Sequence, residues 1–382
     1  MENMQFTAIV LMALLTFKLL LLPQRVAVNP MVNKARKLMA GGISLLSVQF
    51  MLQYFLHLRA MGNTQAVMVN LLLFIPVSWM ISLAVLNLQG KGRIKRIDKW
   101  IGAIIWIVCT ILISVAAAMD GKLFSDTPLL HRIEIVCSIL FAAMQLHYAC
   151  RHTINLRAMR LSLQNYYDRD MEDMLTWMQR SVIILVILTL MVPVLIFYVG
   201  PWLALYGVFF FTSIFYTVDS FCSYVLSSAP KKLEEAEENE EGEVEEVKEE
   251  KTANTSATEY STENSEEQMR HIERAVEQWT KNGCYLKSGL KLPIAAAEIG
   301  VPQYQFSAWL RRKNLKYSDW ITNLRIEEAK RILLEHPEWT SEAVADHCGF
   351  SSREYFHRIF RSYQGMTPIK YQQCNGVEAN KN

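Results

Sequence analysis

The stretch FSSREYFHRIFRSYQGMTPIKY, residues 350–371, decides how the chain is read. Phe356, Ile359, Phe360 and Tyr363 recur at i, i+3, i+4 and i+7, the spacing of a buried stripe on one helix face. Glu354, His357, Arg358 and Arg361 fall on the opposite face. Ser351 through Glu354 form a capping-box pattern, with Ser351 expected as N-cap and Glu354 at N3. Gly365 and Pro368 supply a stop. A short helix with an aromatic inner stripe and a basic outer face is suited to a DNA groove.

Immediately upstream the pattern acquires a partner. ADHCGFSSREYFHRIFRS, residues 345–362, matches AAEIGVPQYQFSAWLRR, residues 296–312. Each copy places a small residue on a helix (Ala296, Ala345), a glycine four residues on (Gly300, Gly349), and then an apolar pair (Phe306 and Leu310, Phe356 and Phe360). The alanine lets two helices cross closely, the glycine ends the first helix in the left-handed conformation, and the apolar pair seats the second helix. This is helix-turn-helix logic, and two such units about fifty residues apart argue for a tandem arrangement. Between them, Trp320, Ile321, Leu324, Ala329, Ile332 and Leu333 fit the core stripe of a joining helix. Rigid joining would let one monomer enter successive major grooves about 34 Å apart.

The expected DNA contacts follow from exposure and chemistry. In the second unit they are Ser352, Arg353, Glu354, His357, Arg358 and Arg361, with Arg353 and Arg358 on base edges and Arg361 on phosphate. Glu354 has a rival structural role in the cap, and His357 is placed equally well at a base edge or in solvent. In the first unit they are Gln303, Tyr304, Ser307, Arg311 and Arg312; Ala308 offers only a methyl group, so this copy is expected to be the weaker reader.

Residues about 270–372 resemble the DNA-binding domain of AraC-type transcriptional regulators. The resemblance rests on Arg325-Ile326-x-x-Ala329, on Ala345-x-x-x-Gly349-Phe350-Ser351, on Tyr355-Phe356 and Phe360, and on the closing GMTPIKY. It implies an all-helical two-unit domain acting as a transcription factor, often an activator, with RNA polymerase as a partner in that case. The rest of the chain does not resemble the soluble sugar-binding half usual in that family.

That remainder is apolar. Segments of spanning length recur at about 4–22, 38–57, 65–89, 100–119, 130–149, 180–199 and 202–227. The segment 38–57 is the weakest, being interrupted by Gln49, Gln53 and His57. The first run lacks a basic n-region and a small-residue cleavage site, so it reads as a span rather than a cleaved signal. The loops after the first, third and fifth segments carry clusters of lysine and arginine, whereas the alternate loops are poorer in them. By the positive-inside rule the N-terminus is outside, and seven spans put the C-terminus in the cytoplasm of a cell whose inner membrane holds the chain. Glu134 and Asp219 are the candidate intramembrane polar sites. Each either pairs with a polar group such as Asn70 or lines a ligand cavity.

Between the halves, residues 229–268 hold four lysines against fifteen glutamates and almost no apolar mass, so this strip is expected to be disordered, or at most transiently helical in its first half. It reads as a spacer or as a DNA mimic occupying the basic domain. The expected organisation is all-α: a seven-helix transmembrane bundle (1–228), a disordered acidic linker (229–268), a tandem helix-turn-helix domain (269–374) and a tail (375–382). The seven cysteines form no CxxC, so neither structural zinc nor another cofactor is expected. No P-loop, kinase, nucleophile-elbow or HExxH motif is present, which argues against an enzyme. The favoured function is a membrane-bound, sequence-specific transcription regulator taking a membrane or extracytoplasmic signal directly to a promoter. Double-stranded DNA and the bilayer are its partners, a homodimer is one arrangement, and the signal ligand is unknown. The alternative is a membrane anchor that tethers DNA without sensing.

Overall fold

The computed structural model describes residues 2–23, 29–57, 63–90, 92–119, 127–197, 202–236, 238–240, 242 and 261–379. Among them there is no strand; one isolated antiparallel bridge joins Tyr167 and Lys291. The chain divides into two compact units, one of residues 1–159 with 173–231, the other of residues 160–172 with 232–382.

Among the described residues the first unit contains seven apolar helices: α1 (Glu2–Leu20), α2 (Pro30–Phe55), α3 (Asn63–Gln89), α4 (Arg96–Met119), α5 (Pro128–Tyr166, whose last residues belong to the second unit), α6 (Thr176–Phe197) and α7 (Trp202–Leu226). Five of them, α2, α3, α4, α5 and α7, are long and apolar enough to cross a membrane. The described parts of α1 and α6, Gln5–Leu20 and Thr176–Leu188, are shorter apolar helices. Helix α4 turns apolar residues outward: Ile97, Trp100, Ile104 and Ile111 each stand more than half exposed.

Several polar residues inside this unit are paired with one another. Gln49 and Gln53 do not weaken α2, because both amides donate to Asn70 Oδ1 on α3, Gln49 at 2.8 Å. Asn70 is thereby taken by glutamines and not by Glu134 or Asp219. Asp219 accepts from Lys18. Glu134 is buried and faces His131 at 3.7 Å. A buried cluster that sequence alone did not single out centres on Asp98, which meets His147 at 2.9 Å and Arg151 at 3.0 Å.

The second unit is built from α8 (Ser261–Lys281), α9 (Leu292–Ile299), α10 (Gln303–Arg312), α11 (Tyr317–Glu335), α12 (Ser341–His347), α13 (Arg353–Gln364) and α14 (Pro368–Ala379). The first part of the acidic strip, where some helix was allowed for, is helical as far as it is described. Residues 229–236 and 238–240 are helical and α8 begins at Ser261; residues 243–260 lie outside the described residues. Leu233 and Ala236 are buried, which gives this segment the apolar anchor that averaging over the strip conceals. Helix α14 runs on to Ala379, past the start of the tail at residue 375.

Candidate nucleic-acid interface

Each helix-turn-helix forms as its residues require. In the first, Gly300 ends α9 at φ 81°, and the Val301 N–H reaches Ala296 O at 3.1 Å. In the second, Gly349 follows α12 at φ 75°, and the Phe350 N–H reaches Ala345 O at 2.9 Å. Ala296, Ala345, Phe306, Leu310, Phe356 and Phe360 are all buried. Helix α11 serves two cores. Tyr317 and Ile321 pack with Phe306, Leu310 and the Trp279 of α8, while Ile326, Ala329 and Leu333 pack with Phe356 and Phe360. One rigid helix therefore fixes the relation between the two reading helices α10 and α13.

The cap of α13 differs by one residue from expectation. Ser352, not Ser351, is the N-cap, its hydroxyl accepting the Tyr355 N–H at 3.2 Å. The helix then starts at Arg353, so Glu354 falls at N2 and closes no capping box. Its carboxylate sits in the first turn, where the helix dipole favours it. The buried stripe is also narrower than its periodicity, since Tyr363 is 43% exposed.

Arg353, Glu354, Arg358 and Arg361 are exposed on α13. The Arg358 guanidinium lies over the Tyr355 ring, 5.5 Å from its centroid, a contact that orients the charge. His357 is half-buried and its Nε2 is covered, so it is not the solvated side chain that one reading allowed. On α10, Arg311 and Arg312 are exposed, and Gln303 and Tyr304 are half-buried. Ser307 is buried at 8% and is not available as an exposed reader. It lies one turn beyond Gln303 on the same helix face, and Gln303 Nε2 donates to Asn239 Oδ1 at 2.8 Å. Asn239 thus engages Gln303, one of the α10 residues from which base contacts were expected.

Sequence reasoning missed the residues that organise the unit. Arg325 is only 2% exposed. It donates to Tyr285 O at 3.0 Å, to Lys287 O at 2.7 Å and to Asp168 Oδ2 at 2.8 Å. The same Asp168 oxygen accepts the Leu290 N–H at 2.8 Å. Two residues on, the Asp170 N–H donates to the Tyr355 hydroxyl oxygen at 2.9 Å. Tyr355 burial pushes its phenol upward, so it stays protonated across the physiological range. Beside them Glu235 accepts from Lys291 at 2.7 Å and from the Tyr167 hydroxyl at 3.2 Å. The ammonium of Lys291 holds the Glu235 carboxyl below the ordinary range and is itself raised by that partner. Arg325 was legible as a motif residue, but no local signal pairs it with an aspartate 157 positions earlier.

The second unit is a tandem helix-turn-helix domain, a class of DNA reader. Residues 295–373 match the family model described as a helix-turn-helix domain. The region is 28% identical over 90 residues to the regulatory protein PocR of Salmonella typhimurium, covering 23% of this chain and 29% of that one. It is 38% identical over 64 residues to the HTH-type transcriptional regulator GadX of Escherichia coli K12, covering 17% and 23%. It is 31% identical over 80 residues to the porin thermoregulatory protein EnvY of the same strain, covering 21% and 31%. The chain thus spans less than a third of the length of each of these relatives. No solved structure matches it.

Proposed function

We propose that this chain is a membrane-bound, sequence-specific DNA-binding transcription regulator whose apolar helices are coupled directly to its DNA-reading domain. The observation that carries this reading is the place of residues 160–172. They connect two apolar helices, α5 and α6, yet they are built into the DNA-reading unit through Asp168 on Arg325 and the Asp170 backbone on Tyr355. A change in how α5 ends is then felt at the helix joining both readers and at α13 itself. The N-terminus lies outside the inner membrane and the reading unit in the cytoplasm, as the loop charges require.

The strip at 229–240 supplies the resting state. Glu235 on Lys291 and Asn239 on Gln303 hold it across the first reader, so DNA competes with it for α10. A signal needs only to favour the released form, since a ligand shifts an equilibrium by its differential affinity for the two states. The test is the full chain in lipid nanodiscs carrying Glu235→Ala with Asn239→Ala. Both sites are at the surface of the unit, so folding is retained, and affinity for a selected DNA site is expected to rise several-fold. Unchanged affinity would reduce the strip to a spacer. Transcription insensitive to every substitution in the apolar helices would favour the plain anchor.

A further inference from the structure

Within the first unit a cavity of about 110 Å³ lies among α3, α5, α6 and α7. Its walls are mostly apolar, with Phe74, Phe141, Leu185 and Phe210 among them. Three polar atoms on this lining stand out: Ser82 Oγ, Gln145 Oε1 and Ser181 Oγ are buried without a hydrogen-bond partner. Ser82 and Gln145 are 2% and 3% exposed.

Hydroxyls in apolar helices ordinarily satisfy themselves on the preceding turn. The same unit does this at Ser78, Thr110, Ser138, Thr153, Thr212 and Thr217, each bonded to a carbonyl three or four residues back. Ser82 and Ser181 do not. Their helices also place the three groups together. Gln89 and His152 meet at 2.8 Å, and Ser82 and Gln145 each lie seven residues, two helical turns, before them. Both therefore sit about 10 Å along the bundle from that pair, on the faces that meet there. Met178 touches Gln89 at 4.0 Å, so Ser181 lies about 4.5 Å along from the same layer.

We infer that this cavity is a binding site for a small neutral molecule that combines a benzene-sized apolar body with a hydroxyl group, of the phenol or short-alcohol class. The volume caps the size: at about 110 Å³ the space is somewhat smaller than the apolar cavity of roughly 150 Å³ that takes up benzene, so a single ring is the largest body that fits. The polar atoms set the chemistry. Gln145 Oε1 needs a donor, the two serine hydroxyls can each give or take a hydrogen bond, and one ligand hydroxyl answers both kinds. The charge follows from what lines the cavity: among the described residues on it there is no lysine, arginine, aspartate or glutamate, and His152 is already engaged by Gln89. An ionised head group has no counter-charge there.

The site is tested on the full chain in lipid nanodiscs by fluorine NMR, with 4-fluorophenol and 4-fluorotoluene as the probes. Saturable 4-fluorophenol binding, absent from empty nanodiscs and about tenfold tighter than 4-fluorotoluene, is expected. Ser82→Ala and Gln145→Leu, which preserve or reduce volume, should bring the ratio towards one while leaving 4-fluorotoluene bound. Equal affinity for the two probes, a preference that survives both substitutions, or no saturable binding because lipid fills the space would each overturn the inference. Binding that leaves DNA affinity unchanged upholds the site and removes it as the signal input, so this inference and the coupling reading fail separately.

Discussion

Asp168 and Arg325 lie 2.8 Å apart, each side chain 3% exposed, at the point where the connection between two apolar helices enters the DNA-reading unit. The pair is completed on every side, by Leu290 N–H on the carboxylate and by two backbone carbonyls on the guanidinium. Breaking such a pair strands a buried charge. Asp168→Ala should therefore destabilise the C-terminal unit by about 3–5 kcal/mol. Urea unfolding followed by tryptophan fluorescence, to which the core residues Trp279 and Trp309 contribute, measures this. A loss under about 1 kcal/mol, the range of an exposed pair, would show that the contact is not built into the folded unit.

The glycines offer a contrast with a built-in control. Gly300 and Gly349 share a left-handed conformation, φ 81° and 75°. At Gly300 an added methyl meets nothing within 4 Å, whereas at Gly349 it would stand 2.1 Å from Leu286 O. Gly300→Ala should cost about 1–2 kcal/mol, the conformational penalty alone. Gly349→Ala should cost more than this, because the loop that Arg325 holds must move as well. Comparable midpoints for the two variants in thermal unfolding would contradict this packing.

These two positions also show where sequence was sufficient. The repeat of Ala, Gly and an apolar pair is a local pattern, and its geometry is set by steric rules acting within a few residues. Both turns, both reading helices and the joining helix were legible for that reason, as were seven apolar segments. Position along a turn was less legible: Ser351 and Ser352 are chemically equal candidates, and only the backbone of α13 selects the second. Long-range partners were hidden. Gln303 reads as a free reader until its bond to Asn239 is seen, and the strip that carries Asn239 reads as unstructured until Leu233 and Ala236 are seen to be buried. Asp168 is one acid in a tyrosine- and arginine-containing loop, and nothing nearby marks it as the partner of Arg325.

The exposed arginines of α13 divide by chemistry. Arg358→Ala should cost about 1–3 kcal/mol in DNA affinity and relax preference at one base position, as loss of a base-edge contact does. Arg361→Ala should weaken binding evenly across sequences and reduce the salt dependence by about one phosphate contact. Competition binding against single-base variants of a selected site, repeated across salt concentrations, separates the two. The reverse pattern would exchange their roles.

Cys348 supplies a pH prediction. It is fully buried against Phe350 and Phe356, and burial pushes its thiol from 9.0 up to about 12. Between these values the folded state keeps a proton that the unfolded state has lost. Stability must then fall as pH rises above 9, and the contribution is fully intact below it. At pH 8 a thiol reagent should modify the exposed Cys374 readily and Cys348 only on unfolding, as mass spectrometry of peptides would show. Equal labelling of the two in the native protein would contradict the packing of the second core.

The central claim, that a membrane-bound chain reads DNA with two helices fixed by α11, is tested most directly by selecting bound DNA from a random pool. The full chain in lipid nanodiscs would be used at moderate salt, with Arg353→Ala and Arg358→Ala combined as the control. The account predicts a motif of two blocks about one helical turn apart, the block read by α13 being the sharper and being lost in the control. Salt-sensitive binding with no motif, or a motif indifferent to both arginines, would contradict it.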